Sequence, residues 1–209
     1  MTLRMFLVRH GQTPWNVHGL VQGFSDGEGN ELNETGLEQA RLLAVALRAE
    51  KVAAVYASTL RRAIQTAEAV AREHGLLVQT DPDLRELNQG LLEGNNRTFL
   101  EQHYPDILKQ WMARPASVCL PEGEGLEQLQ TRAWGAIQRI VERHAEGSVV
   151  VVAHNLANHT ILCKIAGRHL DEFRHIKQDS ACLNVIEWRE DGPELVLAND
   201  TRHLKVEAG

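Results

Sequence analysis

The chain has 209 residues, enough for one large domain or two small ones and for burying roughly 70% of the surface its unfolded form exposes. Its 22 Lys and Arg against 28 Asp and Glu give a net charge of -6, which argues against a nucleic-acid binder and requires any anion site to be made positive locally. Three scattered cysteines, Cys119, Cys163 and Cys182, show no Cys-x-x-Cys spacing, so neither a disulfide framework nor a zinc site is suggested, and no apolar run approaches the ~18 residues of a membrane span. These features lead us to expect a soluble cytoplasmic protein whose partner is small, neither nucleic acid nor membrane, with no cofactor required and with room for a homo-oligomer.

In chain order, Met5-Phe6-Leu7-Val8 reads as a buried strand that ends in Arg9-His10-Gly11-Gln12. Strand carboxyl ends in α/β proteins are where ligands bind, and a glycine there lets the backbone come close to one. Thr35-Gly36 opens a segment with Leu37, Ala40, Ala44 and Leu47 at the spacing of one helix face, and Val52 to Tyr56 reads as a second buried strand. Another helix follows Ser58, with Ala63, Ala67, Val70 and Ala71 inward and with either Arg61 or Arg62 available to aim a guanidinium at the same edge. Leu76-Leu77-Val78 is a short strand before the turn Asp81-Pro82-Asp83, and Leu84-Arg85-Glu86-Leu87 sets a carboxylate just beyond it.

Residues 87 to 123 lose the rhythm: Gly90, Gly94, Asn95-Asn96, Pro105, Pro115 and Pro121 interrupt short helical stretches such as Thr98 to Tyr104. They read as an insertion or lid within a single domain spanning 1–209. Leu126, Leu129, Ala133, Ile137, Ile140 and Val141 then form a long amphipathic helix feeding Ser148 to Ala153, the clearest buried strand. His154 ends that strand, and Asn155 follows it at a helix start whose free N–H groups favour an anion.

This alternation predicts an α/β three-layer sandwich, a mostly parallel doubly wound sheet with helices on both faces and a lid insertion. In such a sheet the carboxyl ends of strands share one edge, so His10 and His154 converge despite their separation in sequence. Either histidine alone reads as structural, whereas the pair reads as a site.

With these residues assembled, the chain resembles the histidine phosphatase superfamily, the phosphoglycerate-mutase-like enzymes, over nearly its whole length. Leu7-Val8-Arg9-His10-Gly11-Gln12-Thr13-Pro14-Trp15-Asn16 is similar to the family's opening motif, and Leu32-Asn33-Glu34-Thr35-Gly36-Leu37-Glu38-Gln39-Ala40 to its second segment. The resemblance implies that His10 is the nucleophile and that Arg9, Arg62 and His154 complete a phosphate pocket. Arg62 is the arginine four positions after Ser58. Asn16 is implied as a further phosphate contact and Glu86 as the proton donor, and Gln22, Gly23, Asn155 and Leu156 are expected among the substrate- and phosphate-binding residues.

These residue types suit phosphoryl transfer. Fixed guanidinium groups and a second imidazole stabilise charge spread over three equatorial oxygens, and a neutral imidazole is a competent nucleophile. Glu86 would act first as acid and then as base, which matters most for a poor alcohol leaving group. The chain departs from the family where Asn155-Leu156 follows the second histidine in place of Gly-Gly, where Leu92 stands at a tryptophan position, and where Asn88-Gln89 replaces an aromatic.

Three functions fit: a phosphatase of small phosphoesters, which is the leading expectation, a cofactor-dependent phosphoglycerate mutase, or a non-catalytic phosphate-binding module. Against the mutase, the family's Arg-Arg pair after a tryptophan is here Trp111-Met112-Ala113-Arg114.

Overall fold

In the computed structural model, which describes residues 2–205, six strands form one sheet in the order β3-β2-β4-β1-β5-β6. Strands β1 (Leu3–Arg9), β2 (Val52–Ala57), β3 (Val78–Thr80) and β4 (Gly147–Ala153) run parallel, while β5 (Leu183–Arg189) and β6 (Gly192–Asp200) form an antiparallel hairpin beside β1. The helices are α1 (Pro14–Val17), α2 (Glu34–Leu47), α3 (Arg61–Glu73), α4 (Arg97–His103), α5 (Pro105–Ala113), α6 (Leu126–Arg143) and α7 (Asn155–Ile165).

The central strands carry apolar residues on both faces, as a sheet covered on both sides must. The two-residue period divides them between two cores. Leu3, Met5 and Leu7 of β1 join Val149, Val151 and Ala153 of β4 in a core with α6 and α7. Phe6 and Val8 join Val150, Val152, Val55 and Ala57 in a second core against α2 and α3. The α/β sandwich with helices on both faces is therefore as the sequence predicts, and Ala63, Ala67, Val70 and Ala71 face inward. Between Leu87 and Gly125, Leu92, Leu100, Val118 and Leu120 enter the α6/α7 core, so this irregular stretch packs on the same hydrophobic mass as the sheet.

Three expectations require correction. Leu37 is 52% exposed rather than inward, because the buried face of α2 is made by Gly36, Ala40, Leu43, Ala44 and Leu47. The strand expected at Leu76-Leu77-Val78 begins only at Val78, and Leu77 is 88% exposed. The reason is the end of α3: Gly75 adopts φ 65°, its N–H reaches the Arg72 carbonyl, and the Leu76 N–H reaches the Ala71 carbonyl, a Schellman closure that claims the Leu76 N–H for the helix exit. The β5–β6 hairpin has no counterpart among the elements that the sequence predicts.

Third, the backbone that Gly11 brings close is that of Gly36. A Cβ there would lie 2.6 Å from the Gly36 carbonyl oxygen, and one on Gly36 would lie 2.1 Å from that of Gln12. The two motif glycines exist for each other: they let the N-terminus of α2 press against the chain just beyond β1.

Candidate active site

Parallel pairing of β1 with β4 sets Arg9 opposite Ala153, so the next residues, His10 and His154, are neighbours by register. The His10 N–H donates to the Ala153 carbonyl at 3.1 Å, and the two imidazole centroids lie 5.1 Å apart. Both histidines are buried, with 2% and 0% exposure.

The His10 Nδ1 lies 2.7 Å from the Gly11 carbonyl oxygen, a contact only a protonated Nδ1 can donate. That fixes the tautomer and leaves the Nε2 lone pair free. Burial, then the charges of Arg62 and Arg9, holds His10 well below the ordinary histidine pKa, so the ring is neutral at pH 7. His154 is held low by burial, by Arg62 and by His10, and neither of its ring nitrogens has a hydrogen-bond partner among the described residues.

Of the two arginines after Ser58, the geometry selects Arg62. Its side chain is fully buried at the start of α3, with Nη1 donating to the Ser25 carbonyl at 3.0 Å and Nη2 to the Gly23 carbonyl at 2.8 Å. Arg61 instead turns outward toward Glu31 at 3.8 Å. Burial lowers Arg62 to about 10, offset in part by Glu86, so it remains a cation. Arg9 donates to the Gln178 carbonyl at 2.6 Å and is likewise lowered, chiefly by burial. The Nε atoms of both arginines are buried without a partner among the described residues. Two desolvated cations without a contacting carboxylate cost several kcal/mol, a cost that an anionic ligand would offset.

Glu86 is 6% exposed and joins this group from the segment after β3. Its Oε1 accepts from the N–H groups of Leu87 at 2.9 Å and of Leu156 and Ala157 at 3.1 Å, and its Oε2 accepts from Leu156 at 3.1 Å. The departure from Gly-Gly is thus compatible with donation: the Leu156 backbone faces the site whatever its side chain, and α7 directs its free amides at a carboxylate. Asn155 is the first residue of α7.

The remaining sequence candidates stand around this centre. Gln22 donates through Nε2 to Thr13 Oγ1 at 2.5 Å, and Gly23 supplies the carbonyl that holds Arg62. Asn16 Oδ1 accepts from the Thr13 N–H at 3.0 Å and from its hydroxyl at 3.2 Å, which makes Asn16 a partner in the α1 capping box.

Several residues here escaped the sequence reading. Thr66 Oγ1 donates to the Arg62 carbonyl at 2.8 Å and accepts from Gly11 N at 3.1 Å, tying α3 to the strand end. Glu93 accepts from Phe24 N, Ser25 N and Gln89 N at 2.8, 2.9 and 3.0 Å and so fixes the loop whose carbonyls orient Arg62. The only sequence signal for Glu93 was its place between Leu92 and Gly94, and Thr66 gave none beyond lying one turn after Arg62. Among the described residues, no group of three or more His, Cys, Asp or Glu side chains is arranged to hold a metal ion, and no helix is long and apolar enough to cross a membrane.

The site therefore has a neutral, oriented imidazole with a free Nε2, a second neutral imidazole, two fixed cations and one carboxylate, all at the carboxyl edge of the sheet. Known proteins resemble the chain over nearly its whole length. A protein of Yersinia pestis (strain Pestoides F) named "Probable phosphoglycerate mutase GpmB" is 32% identical over 211 residues, covering 99% of this chain and 97% of its own. The structure of YhfR from Bacillus stearothermophilus superposes with a TM-score of 0.91 at 30% identity, covering 97% of this chain and 100% of its own. That of the alpha-ribazole phosphatase from Shigella flexneri gives 0.84 at 27% identity, covering 94% and 96%. The family model for the histidine phosphatase superfamily (branch 1) matches residues 5–201, and the chain belongs to that superfamily.

Proposed function

We propose that this protein hydrolyses phosphate monoesters of small metabolites through a phosphohistidine formed on His10. The observation that carries this reading is the His10 ring, anchored through Nδ1 to the Gly11 carbonyl with Nε2 free beside the guanidinium groups of Arg9 and Arg62.

In the first half-reaction Nε2 attacks phosphorus, the N–P bond forms as the P–O bond to the leaving group breaks, and Glu86 in its protonated form delivers its proton to the departing oxygen. In the second, Glu86 takes a proton from water as the water oxygen attacks phosphorus and the N–P bond breaks, returning neutral His10 and inorganic phosphate. Arg9, Arg62 and His154 face the equatorial oxygens, where preorganised donors act most strongly on developing charge.

The mutase is the second reading, favoured by the name of the Yersinia relative at 32% identity. It shares the first half-reaction and differs in what discharges the phosphohistidine. A mutase must clamp a doubly phosphorylated acid away from water, and the cations of the 91–123 segment are poorly placed for that. Arg97 pairs with Glu101 at 2.6 Å with its side chain 79% exposed, and Lys109 and Arg114 are exposed as well. This supports hydrolysis.

Rapid quenching of the enzyme with phosphorus-labelled substrate tests the nucleophile. A phosphoramidate is labile in acid and survives alkali, so label with that behaviour, absent from His10→Ala, is expected. Acid-stable label, or activity retained in His10→Ala, overturns the assignment.

A further inference from the structure

Arg132, on the second turn of α6, is 17% exposed and far from Glu86 in sequence, yet its guanidinium closes on the backbone that carries Glu86. Nη1 donates to the carbonyls of Asp83 at 2.9 Å and Arg85 at 2.8 Å, and Nη2 donates to the carbonyl of Glu86 itself. The other two N–H bonds form a bidentate pair with Glu124, Nε to Oε1 and Nη2 to Oε2, both at 2.8 Å. All five guanidinium donors are therefore used, three of them on carbonyls within four consecutive residues.

Glu124 grips the far side of Glu86. Its Oε2 also accepts from Asn88 N at 2.9 Å, and its own N–H donates to the Asn88 carbonyl at 2.9 Å. Burial works to raise the Glu124 carboxyl, but the bonds from Arg132 and Asn88 outweigh it and leave it below the ordinary carboxylate value, so the pair is ionised at neutral pH. Phe24 covers this group, with the guanidinium carbons of Arg85 and Arg132 at 5.3 and 5.5 Å from its ring centroid.

We propose that Arg132 and Glu124 are positioning residues for the proton donor: they pin the chain on both sides of Glu86 so that its carboxyl stays in line with the leaving oxygen. The proposal rests on the reading of Glu86 as that donor. No lysine could substitute, since an ammonium has three donors and no planar fork to span Glu124 and three carbonyls at once.

A positioning role predicts a leaving-group signature. An alkyl phosphate needs the proton, whereas p-nitrophenolate leaves well without it. Arg132→Lys, which keeps the charge, should lose about a hundred-fold in kcat on an alkyl phosphate, the scale of an ångström-sized misplacement, and much less on p-nitrophenyl phosphate, with KM little changed on either. The double variant with Glu86→Gln should be no slower on the alkyl phosphate than Glu86→Gln alone, because there is no longer an acid to misplace.

Equal losses on both substrates, or additive losses in the double variant, would make the Arg132–Glu124 pair merely structural and overturn the proposal. If Arg132→Lys fails to fold by circular dichroism, Glu124→Gln keeps the side-chain shape while weakening the fork and must show the same discrimination. If Glu86→Gln itself slows both substrates equally, the assignment of the donor fails first and the proposal falls with it.

Discussion

At the scale of single residues, what distinguishes the site is how little freedom its groups have. His10 cannot present the wrong nitrogen while Nδ1 faces the Gly11 carbonyl, and Arg62 cannot swing while Gly23 and Ser25 hold its two Nη atoms. Preorganisation of this kind places charge where it is needed without rearrangement during the reaction. Glu86 is where the chemistry should be most visible. We expect Glu86→Gln to lose up to about four orders of magnitude in kcat on alkyl phosphates and far less on p-nitrophenyl phosphate, as read from steady-state kinetics on both. Equal losses would reassign Glu86 to holding the N-terminus of α7.

The two histidines were legible in the sequence because each follows a strand of strongly apolar residues, and a parallel sheet brings such ends together, whereas Arg62 was separable from Arg61 only through the resemblance to a known family. Arg132 and Glu124 were not. In the sequence they are two charges on an amphipathic helix and its approach, indistinguishable from a solvated face, and the carbonyls that Arg132 binds lie 46 to 49 residues earlier in the chain. Backbone acceptors carry no sequence signal, and so Thr66 and Glu93, which also bind backbone amides and carbonyls near the site, were equally silent.

At the scale of elements, strands β1 and β4 were readable because their buried runs leave no other interpretation, and α6 because its apolar positions keep helical spacing over five turns. The β5–β6 hairpin was not, since β6 alternates exposed and half-buried residues on the sheet's edge and offers no contiguous apolar run. The contact between Gly11 and Gly36 is what joins the first two motifs physically. Gly11→Ala would bring a Cβ to 2.6 Å from the Gly36 oxygen and 3.1 Å from its Cα, both backbone atoms that cannot step aside. We expect it to destabilise the fold by about 1–3 kcal/mol, measured by urea denaturation. A midpoint within error of the parent would show that α2 shifts freely, contrary to the packing described.

At the scale of the whole molecule, a chain of net charge -6 keeps Arg9 and Arg62, whose Nε atoms have no partner among the described residues, beside His10 and His154 at one buried edge, and buries His159 as well. That arrangement has a pH signature. His159, buried beneath Phe173 with its ring centroid 5.1 Å away, is lowered to about 4, chiefly by burial, from an ordinary value of 6.5. Between pH 6.5 and about 4 the unfolded chain binds a proton there that the folded chain does not, so stability falls as the pH drops through that window. The slope from this one residue approaches ~1.4 kcal/mol per pH unit, and His10 and His154, also lowered, add to it in the same direction. Urea midpoints taken from pH 7.5 downward should show the fall, and His159→Gln should flatten it by one histidine's share. A pH-independent midpoint would mean that these rings bind protons as readily in the folded state as in the unfolded one.

The central claim is that water, rather than a second hydroxyl, discharges phosphorylated His10. A single phosphorus NMR time course reads both fates. The enzyme is mixed with 3-phosphoglycerate and catalytic 2,3-bisphosphoglycerate, and in parallel with a simple phosphomonoester. We predict little 2-phosphoglycerate and steady release of inorganic phosphate from the monoester. Isomerisation outrunning phosphate release by ten-fold or more, about 1.4 kcal/mol in the partitioning barrier, would contradict the hydrolase reading and establish the mutase in its place.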